Sequence, residues 1–207
     1  MINMHEYENE LYNEGYKCIG GCDEAGRGPL VGDVVAACVV LPKDYDNPLI
    51  NDSKKLTEKK REELYDIIMR DSIAVGVGKV SAKEIDEINI YEASRKAMII
   101  AYNEASKKIK IDYLLTDAMP IDTLDIPVKN IIKGDAKSIT IAAASIIAKV
   151  TRDRDLLKLD EKYPEYGFKN HKGYPTKKHL EAINKYGIIE GYRKTYRPVK
   201  EYLEKIK

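Results

Sequence analysis

The sequence predicts an α/β fold with a mixed sheet and a helical C-terminal part. Three observations support this prediction. The first two strand-like segments are joined by a short glycine-containing connection, as an antiparallel pair would be. Strand and helix patterns then alternate along the chain, which is typical of strands joined by helices. Beyond residue 138, only helix patterns occur.

The five predicted strands are short apolar stretches bounded by turn residues. The first contains glycines, which weaken its strand propensity. The second is almost continuously apolar, as in a sheet that is covered on both faces. Between them, the sequence Gly-Arg-Gly-Pro indicates a tight connection. The predicted strands span residues 17–25, 31–41, 73–80, 111–116 and 128–132.

Capping residues and apolar spacing predict the helices. Thr57 is a suitable N-cap, and Ser81 with Glu84 forms a capping box. The stretch 139–150 is apolar nearly all round, which predicts a buried helix. A Tyr/Gly/Pro-rich loop is expected over 164–175. The predicted helices span residues 4–14, 57–69, 81–88, 91–108, 138–162 and 176–185, with one more in the tail 193–207.

Composition argues against a membrane-spanning or disulfide-stabilised protein. The longest clean apolar run, 34–41, has eight residues, whereas a membrane span needs about 20. The N-terminal stretch is acidic and lacks the apolar region of a secretory signal. The cysteines at 18, 22 and 38 are too few for a disulfide framework, and we interpret Cys18 and Cys22 as small apolar residues rather than zinc ligands. We therefore expect a cytosolic protein.

Charge is distributed unevenly although the net charge of the chain is only +1. Residues 1–128 carry 16 Lys+Arg and 24 Asp+Glu, whereas residues 129–207 carry 19 and 10, so the two parts have net charges of −8 and +9. An acidic cation site next to a basic surface that holds a polyanion would produce this pattern. Charges scattered over solvated faces would produce it too.

Four acidic residues lie where carboxylates can carry chemistry. Asp23 and Glu24 end the first predicted strand, Asp117 ends the fourth, and Asp135 precedes the buried helix. If they converge, their mutual repulsion favours a divalent cation between them, and all-oxygen ligands suit Mg²⁺ or Mn²⁺. Taken singly, each acid is also explained as a turn residue or as an acid at a helix start.

Four ordered blocks of the sequence resemble the ribonuclease HII family. They are CDEAGRGP at 22–29, DSKKL at 52–56, IAAASIIAKVTRDR at 141–154 and GYPT at 173–176. The resemblance implies a ribonuclease H-like fold: a mixed five-stranded sheet flanked by helices, with a helical C-terminal extension. It divides the chain into an N-terminal helical segment (1–15), a catalytic core (16–163) and an extension that completes the substrate groove (164–207), all within one domain.

The resemblance also implies a reaction and its metal ligands. Asp23, Glu24, Asp117 and Asp135 match the four family carboxylates that hold two divalent ions, Mn²⁺ or Mg²⁺, during catalysis. The implied enzyme hydrolyses the RNA strand of RNA–DNA hybrids and cuts 5′ to single ribonucleotides embedded in duplex DNA. It leaves 3′-hydroxyl and 5′-phosphate ends and serves ribonucleotide removal from DNA.

Further residues are implied in substrate binding. Gly26, Arg27 and Gly28 match the loop that reads a ribonucleotide, because glycines let backbone groups approach a 2′-hydroxyl. Tyr174 matches a tyrosine that contacts the sugar on the DNA side of the junction. Lys54 and Arg27 are candidate phosphate contacts.

Other basic residues carry open interpretations. Lys149, Arg152 and Arg154 could contact phosphate or simply keep a helix surface soluble. The histidines at 5, 171 and 179 are isolated in sequence, and we interpret them as surface or loop residues.

Two other functions remain compatible with the sequence: a nuclease or resolvase for plain DNA, and a nucleic-acid-binding module with a vestigial acidic centre. The Gly-Arg-Gly loop disfavours the first, and the presence of all four acids disfavours the second. The chain has no Gln, so the Gln-initiated sliding-clamp box of some relatives is absent. We expect a monomer with no membrane contact.

Overall fold

The computed structural model describes residues 3–206 and has a mixed five-stranded sheet at its centre. The strand order is β3-β2-β1-β4-β5; β1, β2 and β3 are antiparallel, whereas β1, β4 and β5 are parallel. The mixed sheet predicted from the sequence is therefore confirmed. The strands are β1 (Ile19–Ala25), β2 (Val34–Val40), β3 (Ala74–Val80), β4 (Tyr113–Asp117) and β5 (Val128–Ile131).

Helices cover both faces of the sheet and form the C-terminal part. They are α1 (Glu6–Asn13), α2 (Glu58–Asp71), α3 (Ala82–Ser106), α4 (Ile139–Lys162), α5 (Phe168–His171), α6 (Lys177–Tyr186) and α7 (Arg197–Lys205). One face of β2 packs with α3, and the other packs with α4 and α2. None of the helices within residues 3–206 has the length and hydrophobicity for a membrane span.

Helix α3 consists of two helical halves, as the sequence predicts. The helical backbone conformation is interrupted at Asn89, whose φ is +69°. The Asn89 side-chain oxygen accepts hydrogen bonds from the amides of Tyr91 and Glu92, at 2.9 and 3.2 Å. Asn89 therefore caps the second half, which explains why the helix pattern restarts there.

Two predicted segments differ from the structure in ways that the C-terminal part explains. The second strand begins at Val34 rather than at 31, because the backbone before it pairs with the C-terminal part: the Leu30 amide donates to Gly173, and the Gly32 amide donates to Gly191. The expected loop 164–175 contains a 3₁₀ turn and helix α5. The stacked rings of Tyr166 and Phe168, with centroids 5.3 Å apart, are buried there and order the chain.

Helix α4 packs directly against the backbone of β1, and this contact requires glycine at position 21. A Cβ at Gly21 would lie 2.4 Å from the backbone carbon of Thr140, whereas a Cβ at Gly20 would meet only side-chain atoms, the nearest 3.1 Å away. We expect Gly21→Ala to lower the free energy of unfolding by about 3 kcal/mol and Gly20→Ala by about 1 kcal/mol. Denaturant unfolding measures both; equal losses would contradict this packing.

Candidate active site

Three carboxylates from separate elements converge at one end of the sheet. Cys22 of β1 pairs with Thr116 of β4, so the residues that follow them, Asp23 and Asp117, lie on adjacent strands. Asp135 reaches the same place from the 3₁₀ turn before α4. One carboxylate oxygen from each of the three acids lies within 4.8 Å of the others. This spacing allows all three to contact one cation.

Backbone and side-chain contacts orient two of these acids. The Gly134 amide donates a 2.7 Å hydrogen bond to Asp117 Oδ1, which ties the end of β4 to the turn that carries Asp135. Asp135 is buried, and the Lys54 Nζ lies 3.4 Å from its Oδ2. Lys54 is positioned by the neighbouring 3₁₀ turn, where its amide donates to Asp52 Oδ1 at 2.9 Å.

Glu24 lies beside the three acids but does not belong to the cluster within 4.8 Å. Its Oε1 is 3.4 Å from the Arg27 Nη1. Its Oε2 is buried and has no hydrogen-bond partner within the described residues. An orphaned carboxylate oxygen next to three clustered acids is what a missing cation would leave, because an ion-bound oxygen needs no protein donor. The donor set is all oxygen, which fits Mg²⁺ or Mn²⁺.

Burial raises the pKa of three of the four acids. Burial raises the pKa of Asp23 well above its usual range, and the nearby charges of Glu24 and Asp117 raise it further. Burial also raises the pKa of Glu24, although Arg27 opposes this shift. Burial raises the pKa of Asp117, which the Gly134 hydrogen bond partly offsets. A divalent cation would stabilise the ionised forms of all three acids.

These shifts predict how stability depends on pH in chelator-treated protein. A carboxyl group whose pKa is higher in the folded than in the unfolded protein favours folding most at pH values below its unfolded pKa. This stability is lost as pH rises through the pKa of the group in the folded protein. Asp23→Asn removes one such group, so we expect the variant to be more stable than the original chain at pH 8. The difference in stability between the variant and the original chain should shrink as pH falls towards 5. Thermal unfolding of both proteins at pH 8 and pH 5 in EDTA measures this difference. The same difference at both pH values would contradict the electrostatic explanation.

A pocket of about 200 Å³ opens beside the acids. Most of the residues that the sequence singles out border it, including Tyr174, whose ring lies beside Gly28. Asp135 does not line the pocket but joins it through the carboxylate cluster. Ser53, Ser145 and Lys149 also line it. The predicted residues in its wall are Asp23, Glu24, Gly26, Arg27, Gly28, Lys54, Asp117 and Tyr174.

The three weaker basic candidates have different environments. Lys149 faces the pocket and forms a 2.8 Å ion pair with Asp153. Arg154 pairs with Glu62. Interpreting Arg152 as a phosphate contact or a soluble surface residue is wrong, because its side chain is buried and donates to the carbonyls of Val31 and Lys172.

His179 is likewise not a surface residue. It is fully buried and stacks on His171, with ring centroids 4.2 Å apart. Its Nδ1 bonds to the Tyr174 carbonyl at 2.8 Å, and its Nε2 bonds to the Tyr192 hydroxyl at 2.7 Å. Burial lowers the pKa of His179 to about 4. The sequence did not reveal this role, because the contact of His179 with the Tyr174 carbonyl involves the backbone rather than a side chain.

Comparisons with known proteins agree with this architecture. A family model for Ribonuclease HII matches residues 20–199. A ribonuclease HII of Bacillus cereus (strain Q1) is 56% identical over 204 residues, which cover 99% of this chain and 78% of the relative.

Two solved structures share the ribonuclease H-like fold that the sequence predicts. Ribonuclease H2 from Pyrococcus horikoshii OT3 has a TM-score of 0.77 and 31% identity, covering 91% of this chain and 98% of its own. Ribonuclease HII from Archaeoglobus fulgidus, solved in complex with PCNA, has a TM-score of 0.71 and 28% identity, covering 89% and 96%. The chain therefore belongs to the ribonuclease HII family of ribonuclease H hydrolases.

Proposed function

We propose that this chain is a metal-dependent endonuclease that hydrolyses the RNA strand of RNA–DNA hybrids and cuts 5′ to single ribonucleotides in duplex DNA. The observation that carries the proposal is the convergence of three carboxylates beside the Gly-Arg-Gly loop, in a chain of the ribonuclease HII family. The cut would leave 3′-hydroxyl and 5′-phosphate ends, and its task would be the removal of ribonucleotides from DNA.

The acids hold the metal in this proposal. Asp23, Asp117, Asp135 and the free Oε2 of Glu24 would hold the two divalent ions, Mn²⁺ or Mg²⁺. When bound, these ions would lower the pKa of a water that acts as nucleophile and would stabilise negative charge on the leaving oxygen. Lys54 contributes a positive charge at the edge of this cluster, where a phosphate would lie.

In this proposal, residues in the wall of the pocket recognise the sugar and the phosphate of the substrate. Arg27 is half-exposed at the mouth of the site, where its guanidinium can contact a phosphate. Backbone groups of Gly26, Arg27 and Gly28 can approach a 2′-hydroxyl, which only RNA offers. The Tyr174 ring is 42% exposed, so it presents a flat apolar face on which a deoxyribose can pack. In the proposed organisation, residues 1–15 form an N-terminal helical segment, residues 16–163 form the catalytic core, and the helical extension 164–207 completes the substrate groove.

Cellular context is also part of the proposal. We propose that the chain acts as a cytoplasmic monomer. The Archaeoglobus relative was solved with PCNA, but the absence of Gln here means that any clamp contact would need a motif other than a Gln-initiated box.

Three labelled duplexes test the proposal: all-DNA, DNA with one ribonucleotide, and a long RNA–DNA hybrid, each incubated with Mg²⁺, Mn²⁺ or EDTA. We expect metal-dependent cutting of both ribonucleotide-containing duplexes and none of all-DNA. Comparable cutting of all-DNA would instead favour a DNA nuclease. Binding without any cutting would favour a module with a vestigial acidic centre.

A further inference from the structure

Arg193 is a fully buried arginine on the C-terminal side of the Gly-Arg-Gly loop. No carboxylate within residues 3–206 forms an ion pair with it. Its guanidinium instead donates to backbone carbonyls: to Gly26 at 2.6 Å, to Arg27 at 3.0 Å and to Gly32 at 2.8 and 3.0 Å. A buried charge is costly unless it is both paired and hydrogen-bonded. The Arg193 guanidinium is hydrogen-bonded but not paired with a carboxylate, so a role in the fold or in binding must offset the cost of burying it.

The two loop carbonyls have a geometric consequence for the loop amides. In a trans peptide, the carbonyl of one residue and the N–H of the next point in opposite directions, and no cis peptide occurs among the described residues. Because the carbonyls of Gly26 and Arg27 both point at the Arg193 guanidinium, the amides of Arg27 and Gly28 both point away from it. Arg193 lies behind the loop, and the pocket lies in front of it.

Both amides are free to bind an oxygen atom. Neither Arg27 nor Gly28 donates a backbone hydrogen bond to any acceptor in the described part of the chain, and both residues are exposed at the pocket wall. Each of these amides shares its peptide group with a carbonyl that accepts a hydrogen bond from the positively charged Arg193 guanidinium. That hydrogen bond polarises the peptide group, so its N–H becomes a stronger donor.

Tyr196 supports the same peptide from a second direction. Its hydroxyl donates to the Arg27 carbonyl at 2.5 Å and accepts from the Arg193 Nη1 at 3.0 Å. The Arg193 amide also donates to the Leu30 carbonyl at 2.8 Å, which attaches the C-terminal segment to the chain just after the loop. The loop therefore has its orientation set by residues about 165 positions away.

We propose that Arg193 is a positioning residue for substrate specificity: it holds the Gly26 and Arg27 carbonyls so that the Arg27 and Gly28 amides form a paired donor site for oxygen atoms of the ribonucleotide. This inference rests on the proposed function, since it assigns the means by which that same pocket binds a ribonucleotide. Arg193 is fully buried and bonds to the loop rather than to the acids. It would therefore act through the binding of the ribonucleotide by the loop rather than through the metal-dependent step.

Steady-state kinetics on the single-ribonucleotide duplex test this role. We expect Arg193→Met to raise KM about tenfold, equivalent to about 1.4 kcal/mol, with kcat changed much less. Arg193→Lys, which keeps the charge and some carbonyl contact, should restore part of the loss. Tyr196→Phe removes only the hydroxyl contact and should shift KM in the same direction by less, which preserves the test if Arg193→Met fails to fold.

Val199→Ala is the matched control, because Val199 is fully buried in the same C-terminal cluster but does not bond to the loop. It should lower the melting temperature and leave KM unchanged. A KM that stays at the original value in both Arg193→Lys and Tyr196→Phe, or that rises equally in Val199→Ala, would overturn the positioning role. Original protein that cuts no ribonucleotide duplex would instead refute the proposed function, and the role of Arg193 with it.

Discussion

Asp23→Asn is expected to lower the rate of cleavage at least about a thousandfold. Asp23 is a buried acid of the cluster, and one of its oxygens lies within 4.8 Å of an oxygen of Asp117 and of Asp135. In the proposed function Asp23 is a metal ligand, so a neutral amide in its place would weaken cation binding and with it several kcal/mol of transition-state stabilisation. A loss of about 4 kcal/mol corresponds to a factor of a thousand in rate. Single-turnover cleavage of the single-ribonucleotide duplex in Mg²⁺ measures the loss.

The folded state of this variant is an internal control. Asn removes a buried negative charge that the neighbouring acids repel, so the variant should unfold at a temperature no lower than that of the original protein in EDTA. Asp153→Asn is a matched comparison, because Asp153 is also buried but pairs with Lys149 outside the cluster. Full activity in Asp23→Asn, or an equal loss in Asp153→Asn, would contradict the assigned role.

Gly26→Ala is expected to lower kcat/KM about a hundredfold while leaving metal binding intact. Gly26 has φ +99°, and a Cβ there would lie 2.2 Å from the Nε of the buried Arg152. The loop must therefore move, and a shift of about 1 Å in a positioning element costs on the order of a hundredfold in rate. Mn²⁺ should still raise the melting temperature, because the four acids are unchanged.

Gly15→Ala provides the control for this prediction. Gly15 has the same left-handed backbone, with φ +100°, but nothing lies within 4 Å of its Cβ direction. Both variants share the backbone strain, and only Gly26→Ala disturbs the loop. Equal losses of cleavage in the two variants would show that the loop conformation is not what the substrate requires.

Local patterns predict most of the sheet and the position of the acids. The apolar run of β2 and the restart of helix α3 after Asn89 are visible in the sequence because burial and capping are short-range properties. Asp23 and Asp117 can also be identified from the local sequence, because a carboxylate at the end of an apolar strand is unusual. Asp135 lies near Asp23 and Asp117 only if the turn before α4 folds back on β4. The apolar and capping pattern of the sequence does not predict this contact, whereas the resemblance to the family implies it.

The residues that support the wall of the pocket could not be predicted from local patterns. Arg193 and His179 lie in C-terminal stretches whose charged and polar residues suggest a solvated face, yet both are fully buried. Both bond to backbone carbonyls as well as to tyrosine hydroxyls, and the Gly26 carbonyl lies 167 residues from Arg193. A backbone carbonyl is present at every residue, so the amino-acid sequence does not mark it as a partner. The same long-range pairing shortens β2, because residues 30–32 bond to the C-terminal part instead of to the sheet.

The chemical ends of the product test the central claim most directly. A 5′-labelled duplex with one ribonucleotide would be incubated with the protein and Mg²⁺, and the labelled product would be mapped and offered to a DNA polymerase. Metal-activated water acting at the acidic cluster predicts a product that stops immediately 5′ of the ribonucleotide and carries an extendable 3′-hydroxyl. A product that ends on the 3′ side of the ribonucleotide in a cyclic phosphate would mean that the ribose hydroxyl itself is the nucleophile, and would contradict the account.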